Sequence, residues 1–269
     1  MKDKVIIITG ASSGIGLALA DELANRGAML ALGARNRVKL EEMVETYTRR
    51  GVRAIAVPTD VSSEEDCRSL VQQTVDAFGR VDVLINNAGI SMRALFEDTE
   101  LTVLHKLMDV NFWGTVYCTK YALPYLLQTR GSVVGVISIA GYIGLPGRTG
   151  YSASKFAIRG FLDTLRTENR KKGLHVLVAA PGFTGTNIRN QSLTADGTPQ
   201  GKTPRDEGKM MTAREVARRI VRAIGKRKRS LILTFTEGKL TVFLNKWFPS
   251  LVDRLSYQHM AKEPDSPFK

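Results

Sequence analysis

Cysteine is nearly absent. Cys67 and Cys118 lie far apart and outside any C-x-x-C pattern, so neither a disulfide framework nor a zinc site is indicated, and two reduced structural thiols are expected. Histidine is equally thin: His105, His175 and His259 are scattered, and no metal is expected. No run reaches the roughly 18 apolar residues that a bilayer span needs. The chain opens "MKDKVIIITG", a charged start running straight into a strand pattern with no apolar leader, from which a cytoplasmic protein is expected. Repeats and low-complexity tracts are also missing, which excludes solenoid architectures. Negative charge is in deficit, with 26 Asp+Glu against 39 Lys+Arg and a formal charge of +13. From residue 202 onward there are 16 basic residues against 7 acidic ones, so the excess is a property of the C-terminal part. That distribution suits an acidic surface or an anionic ligand near the C-terminus, and no nucleic-acid groove is expected.

What is present is a regular alternation. Apolar runs "KVIIIT" (4–9), "AMLALG" (28–33), "RAIAVP" (53–58), "VDVLIN" (81–86), "SVVGVIS" (132–138) and "LHVLVAA" (174–180) are separated by amphipathic segments. Those segments fall at about 15–26, 37–50, 63–77, 101–129, 151–172 and 213–225. Continuous apolar strands divided by helices predict an α/β fold with a doubly wound parallel sheet buried on both faces, closed by a seventh strand at "SLILTF" from 230. Ligands are then expected at the C-terminal edge of the strands. One domain over 1–237 is expected, with an irregular substrate loop at about 183–211 and an amphipathic basic and aromatic extension over 238–269.

The motifs sit where strands end. "TGASSGIG" (9–16) follows the first strand and opens the first helix: Gly10 suits the tight turn, Gly14 a close approach to a pyrophosphate, and Gly16 close helix packing. Ser12, Ser13 and Ile15 of the same turn are further candidates for cofactor contact. After the second strand, "LGARNR" puts Ala34 where a ribose-binding Asp would stand, and Arg35 follows, a guanidinium suited to a 2′-phosphate. NADP(H) is therefore expected over NAD(H), the alternative being that Arg35 and Arg37 are only a solvated helix start. In "TDVS" (59–62), Asp60, beside Val61, either accepts from an adenine amino group or caps the helix starting near Ser63, and the two roles can coexist. "NNAG" (86–89) offers Asn87, Ala88 and Gly89 for close backbone approach to the cofactor. In "YSASK" (151–155), Tyr151 and Lys155 are one helical turn apart, so an ammonium lies on the same face as a phenol and is expected to pull the phenol's pKa down toward the working range of an acid-base catalyst.

"TGASSGIG", "NNAG", Asn111 in "VNFWG", Ser138, "YSASK" and "PGFTGT" (181–186), in this order and spacing, closely resemble the short-chain dehydrogenase/reductase family over residues 4 to about 233. The resemblance implies a single Rossmann-like domain, a nicotinamide cofactor and a catalytic tetrad of Asn111, Ser138, Tyr151 and Lys155. It implies that Tyr151 passes the proton to the carbonyl oxygen, that Ser138 hydrogen-bonds that oxygen, that Lys155 tunes Tyr151 and binds ribose hydroxyls, and that Asn111 holds a water leading from Lys155 to solvent. Pro181 and Gly182 would turn the chain to the cofactor, with Phe183, Thr184 and Thr186 near the carboxamide. Ile143, Leu145 and Met92 are the apolar candidates for substrate contact, along with Ser138 and Tyr151. Relatives usually pair through helices corresponding to Phe112–Leu126 and Phe156–Arg170, so a homodimer or homotetramer is expected.

The expected activity is hydride transfer between NADP(H) and a ketone or secondary alcohol, with a steroid, sphingoid or other lipophilic substrate. The alternatives are a 3-oxoacyl carrier-protein reductase docking an acidic carrier on the basic surface, and a dinucleotide-binding scaffold with incidental catalysis. "GKRKRS" (225–230) reads either as an anionic-lipid patch or as only the basic C-terminus of a helix, which the macrodipole favours; with the aromatic segment after 238 it leaves open a peripheral membrane or lipid-gating element at the inner membrane surface, or a helix packed on the core or a second subunit.

Overall fold

A computed structural model describes residues 1–201, 203, 210–263 and 266–268. The apolar runs form strands β1 (Val5–Thr9), β2 (Met29–Ala34), β3 (Ala54–Pro58), β4 (Val83–Asn86), β5 (Ser132–Val136) and β6 (His175–Ala180). A two-residue pair, β7 (Thr184–Gly185) and β8 (Met211–Thr212), brackets the expected substrate loop, and β9 (Ser230–Ile232) completes the main sheet. That sheet has seven strands in the order β3-β2-β1-β4-β5-β6-β9, all parallel. Ile6 pairs with Leu30 on one side and Val83 on the other, so β1 sits at the reversal of strand order. A crevice opens there at the C-terminal strand ends, because the connections leave it in opposite directions.

Both faces are covered by helices: α1 (Gly14–Ala24), α2 (Arg37–Arg49), α3 (Glu64–Phe78), α4 (Leu101–Leu107), α5 (Gly114–Gln128), α6 (Thr149–Glu168) and α7 (Ala213–Gly225). Strand alternation divides the core. Ile6 and Ile8 face Leu19, Leu23, Ile220 and Val221 from α1 and α7, whereas Ile7 and Leu84 face Leu70, Leu126 and Leu162 from α3, α5 and α6. Cys67 and Cys118 are buried free thiols within the second of these layers.

Three expectations need correction. The helix expected over 101–129 is two helices joined by a π-helical turn, Met108–Trp113, whose i→i+5 bonding has no residue signature of its own and so gave no signal. The seventh strand stops at Ile232, because a second π-helical turn, Phe235–Leu240, takes over the following residues. Asp60 does not cap α3. Ser63 does, its hydroxyl accepting from Asp66 N, while Asp60 closes a local turn by accepting from Ser62 N and Oγ at 3.0 and 2.7 Å.

The C-terminal segment forms α8 (Thr241–Trp247) and α9 (Pro249–Ala261), with Pro249 at the start of α9, where its missing N–H costs nothing. Val252 and Met260 of α9 are buried. Glu263 beyond it makes a buried ion pair with Arg93 at 3.3 Å. No helix among the described residues is long and apolar enough to cross a membrane.

Candidate active site

The crevice is a cavity of about 970 Å³ over the ends of β1, β2, β4, β5 and β6. At one end lie Ser12, Ser13, Gly14 and Ile15 at the N-terminus of α1. Asn36, Ser63 and Thr212 each cap their helix with a side-chain oxygen, but Ser13, at the same position of α1, makes no such bond. The first-turn amides of α1 are left to a ligand, and with the positive end of the helix dipole they suit an anion. The turn is held from the next strand: Asn87 Nδ2 donates to Thr9 O at 3.0 Å and to Gly10 O at 3.3 Å, while Asn87 N and Ala88 N both donate to Thr9 Oγ1. A Cβ on Gly10 would stand 2.9 Å from Ala88 Cα, and Gly10 has φ of 65°, so only glycine serves there. This cradle fits the pyrophosphate of a dinucleotide.

Ala34, Arg35, Asp60 and Val61 line the adjoining part of the cavity. Arg37 is engaged by Glu41, one turn along α2, so it points along the helix rather than into the crevice. Burial pushes the Asp60 carboxyl upward, but hydrogen bonds from Ser62 and the nearby Arg35 charge outweigh it and hold the group below its ordinary range.

At the other end, Ser138 follows β5 and Tyr151 and Lys155 project from α6 into the same cavity. Lys155 is 3% exposed, donates to Val136 O at 3.3 Å, and is pulled by burial to about 8. Its Nζ stands 5.6 Å from the centre of the Tyr151 ring. Burial raises the Tyr151 phenol, while a hydrogen bond with Ser138 and the charge of Arg148 lower it. The charge of Arg148 thus bears on the hydroxyl, beside the nearby Lys155. Arg148 is itself buried and donates to Ser91 Oγ and Met92 O, both at 3.0 Å.

Three expected residues do not line the cavity. Asn111 is fully buried beneath it in the π-helical turn: its Oδ1 accepts from Ile90 N at 2.8 Å, and its Nδ2 donates to Ile90 O and Ser154 Oγ. A Cβ on Gly89 would fall 3.0 Å from Asn111 Oδ1 and 3.2 Å from Lys155 Nζ, so the absent side chain keeps these two close together. Gly16 packs instead of touching the crevice, with an added Cβ only 2.0 Å from Gly10 O. Met92 is buried among Val103, Leu107 and Leu193, and the neighbouring Ser91 lines the cavity in its place. The remaining expected residues, including Pro181, Gly182, Phe183, Thr184, Thr186, Ile143 and Leu145, all line it.

Sequence reasoning missed Arg148 and left the role of the segment that contains α9 open. Val252, Leu255, Ser256, His259 and Met260 close the apolar end of the cavity. Their spacing of three and four was readable as one helical face, but nothing in it said which surface that face would cover.

An anion-binding turn at the switch point of a doubly wound sheet places the protein in the class of dinucleotide-binding α/β folds. Within that class it belongs to the short-chain dehydrogenase/reductase family, whose short chain dehydrogenase model matches residues 4–197. Dehydrogenase/reductase SDR family member 7B of Mus musculus is 34% identical over 99% of this chain and 84% of its own length. 11-beta-hydroxysteroid dehydrogenase 1A of Arabidopsis thaliana is 44% identical over 67% of this chain, a match spanning 52% of that protein. Among solved structures, a short-chain dehydrogenase/reductase from Burkholderia phymatum in complex with NAD has a TM-score of 0.83 at 25% identity, covering 93% of this chain and 95% of its own. An alcohol dehydrogenase from the archaeon Thermococcus sibiricus complexed with 5-hydroxy-NADP has a TM-score of 0.74 at 29% identity, covering 86% and 96%. The protein is an oxidoreductase of this family.

Proposed function

We propose that the protein is an NADP(H)-dependent oxidoreductase interconverting a lipophilic ketone and its secondary alcohol. The observation that carries this reading is the continuity of one cavity, from the uncapped start of α1, past Tyr151, Ser138 and Lys155, to an apolar end closed by α9. When bound, the nicotinamide would supply or accept the hydride. Tyr151 gives a proton to the substrate oxygen in reduction and takes it back in oxidation, and Ser138 orients that oxygen and stabilises its developing charge. Lys155 holds ribose hydroxyls, and Asn111 fixes the Ile90 backbone behind them, where a water between Asn111 and Lys155 would lead the proton away. Arg35, with Ala34 in place of an acid, supports a 2′-phosphate. The backbone from Pro181 to Thr184, with Thr186, would present one face of the ring.

Ile143, Leu145 and Leu244 at the far end support an apolar substrate, in keeping with the hydroxysteroid dehydrogenase names of the plant relatives. Residues 1–237 act as the catalytic unit, and the segment after 238 completes the pocket. Exposed Trp113, at the end of the π-helical turn that leads into α5, and Phe156 on α6 support a homo-oligomer through those helices, and exposed Phe243 and Trp247 support peripheral membrane association of an otherwise cytoplasmic protein. NADPH oxidation measured over a panel of steroid, long-chain and carrier-linked ketones tests the reading. Turnover of the lipophilic ketones is expected, with NADPH preferred, a preference that Arg35→Ala largely abolishes. Exclusive use of carrier-linked substrates, or equal loss of NADPH and NADH binding in the variant, would overturn it.

A further inference from the structure

We infer that the outer face of α7, together with the turn after β9, is a cationic groove that seats the anionic headgroups of a lipid bilayer. The inner face of α7 is apolar, with Val216, Ile220, Val221 and Ile224 in the core. Its outer face carries Arg214, Arg218, Arg222 and Lys226, each four positions from the last, so the side chains stack in one row rising about 6 Å per step. Lys228 and Lys239 line the same groove, whose volume is about 700 Å³, and all six cations are exposed. The one carboxylate in its lining, Glu215, is taken by Arg219 at 2.5 Å. Among the described residues no carboxylate pairs with any of the six. Like charges four apart on a helix destabilise it, so the row is held against its own repulsion and matches an anion from outside the chain.

Adjoining structure identifies that anion's source. Lys239 belongs to the π-helical turn Phe235–Leu240, which runs directly into α8. Phe235, Phe243 and Trp247 in this stretch are 73%, 60% and 61% exposed, and Lys246 Nζ lies 5.4 Å from the Trp247 ring centre. Cations beside protruding aromatic rings are what a charged interface with an acyl layer beneath it accommodates. An acidic protein would match the groove but gives no reason for the exposed rings. Thr236, Thr241 and Leu244 of the same stretch line the catalytic cavity, so docking here would set its mouth against the bilayer. That last consequence rests on the lipophilic-substrate reading; the docking itself does not.

The test is sedimentation of the full chain with vesicles of phosphatidylcholine alone and of phosphatidylcholine mixed with phosphatidylglycerol. Binding to the mixed vesicles only is expected, loosened by salt. Arg218→Gln with Arg222→Gln should weaken it roughly twenty-fold, since each surface cation contributes about a fivefold factor, and the Glu pair by more. Trp247→Ala should weaken it independently of salt. The Glu pair should turn over small soluble ketones with NADPH as the wild type does, which separates a failure of docking from a failure of the catalytic reading. Unchanged sedimentation of both charge variants would overturn the inference, as would capture on soluble polyglutamate with no vesicle binding.

Discussion

Lys155 is a charge held where charge is disfavoured. Burial moves its ammonium from 10.5 to about 8 in the folded protein. Below about 8 it is protonated in both folded and unfolded chains, and the fold carries the full cost of burying it. Between about 8 and 10.5 the unfolded chain binds more protons than the folded one, so this group makes stability rise with pH. Lys155→Met removes that contribution. The stability of the variant relative to wild type should therefore fall by about 3 kcal/mol across this window, all other titrations being shared. Urea melts of both proteins at several pH values check it, and a difference that stays constant would contradict the assignment. Arg148 acts on the other partner. Alcohol oxidation needs the phenolate of Tyr151, so its rate climbs as pH passes the phenol's pKa, and Arg148→Met should move that climb to higher pH by removing a charge that lowers it. Arg148→Lys, which keeps the charge, should stay nearer wild type in pH–rate profiles.

Elements were legible in proportion to how local their causes are. β1 through β6 and α7 were readable because period and composition alone specify a buried strand or a one-sided helix. The π-helical turn at Met108–Trp113 was not, because one extra residue is a single phase shift inside a long helical pattern, too small to read by period alone, yet it carries Asn111, which is fully buried. Met92 misled for a related reason: a methionine in the segment after a strand fits a pocket or a core equally well, and contact with Leu193, far along the chain, decides. The role of Gly16 was legible from its place in the turn, and the structure gives it a magnitude. An added Cβ meets Gly10 O and Asn87 Nδ2 at 2.0 and 2.6 Å, the first being backbone that cannot move without opening the phosphate turn. Gly16→Ala should cost about 3 kcal/mol. It should also abolish the rise in melting temperature that NADPH gives the wild type, so thermal melts with and without the nucleotide would show both effects, and an unperturbed melt would refute the packing role.

At the scale of the whole molecule, two exposed faces differ in what they can pair with. The groove along α7 carries six cations with no carboxylate partner among the described residues, so a second copy brought against it would meet its own charge. The α5–α6 face is aromatic instead. Trp113 and Phe156 are 43% and 42% exposed, Trp113 stacks on Tyr117 at 5.7 Å, and Phe112 meets Trp113 edge-on at 5.3 Å. Rings already ordered by one another lose little freedom on association, and such residues dominate interface energetics. Self-association is therefore expected through α5 and α6, leaving α7 and α8 free for a surface of opposite charge. Trp113→Glu with Phe156→Glu should raise the dimer dissociation constant about a hundred-fold or more without unfolding the protein. Sedimentation equilibrium reads this directly: a wild type that stays monomeric, or a double variant that assembles as the wild type does, would rule the interface out.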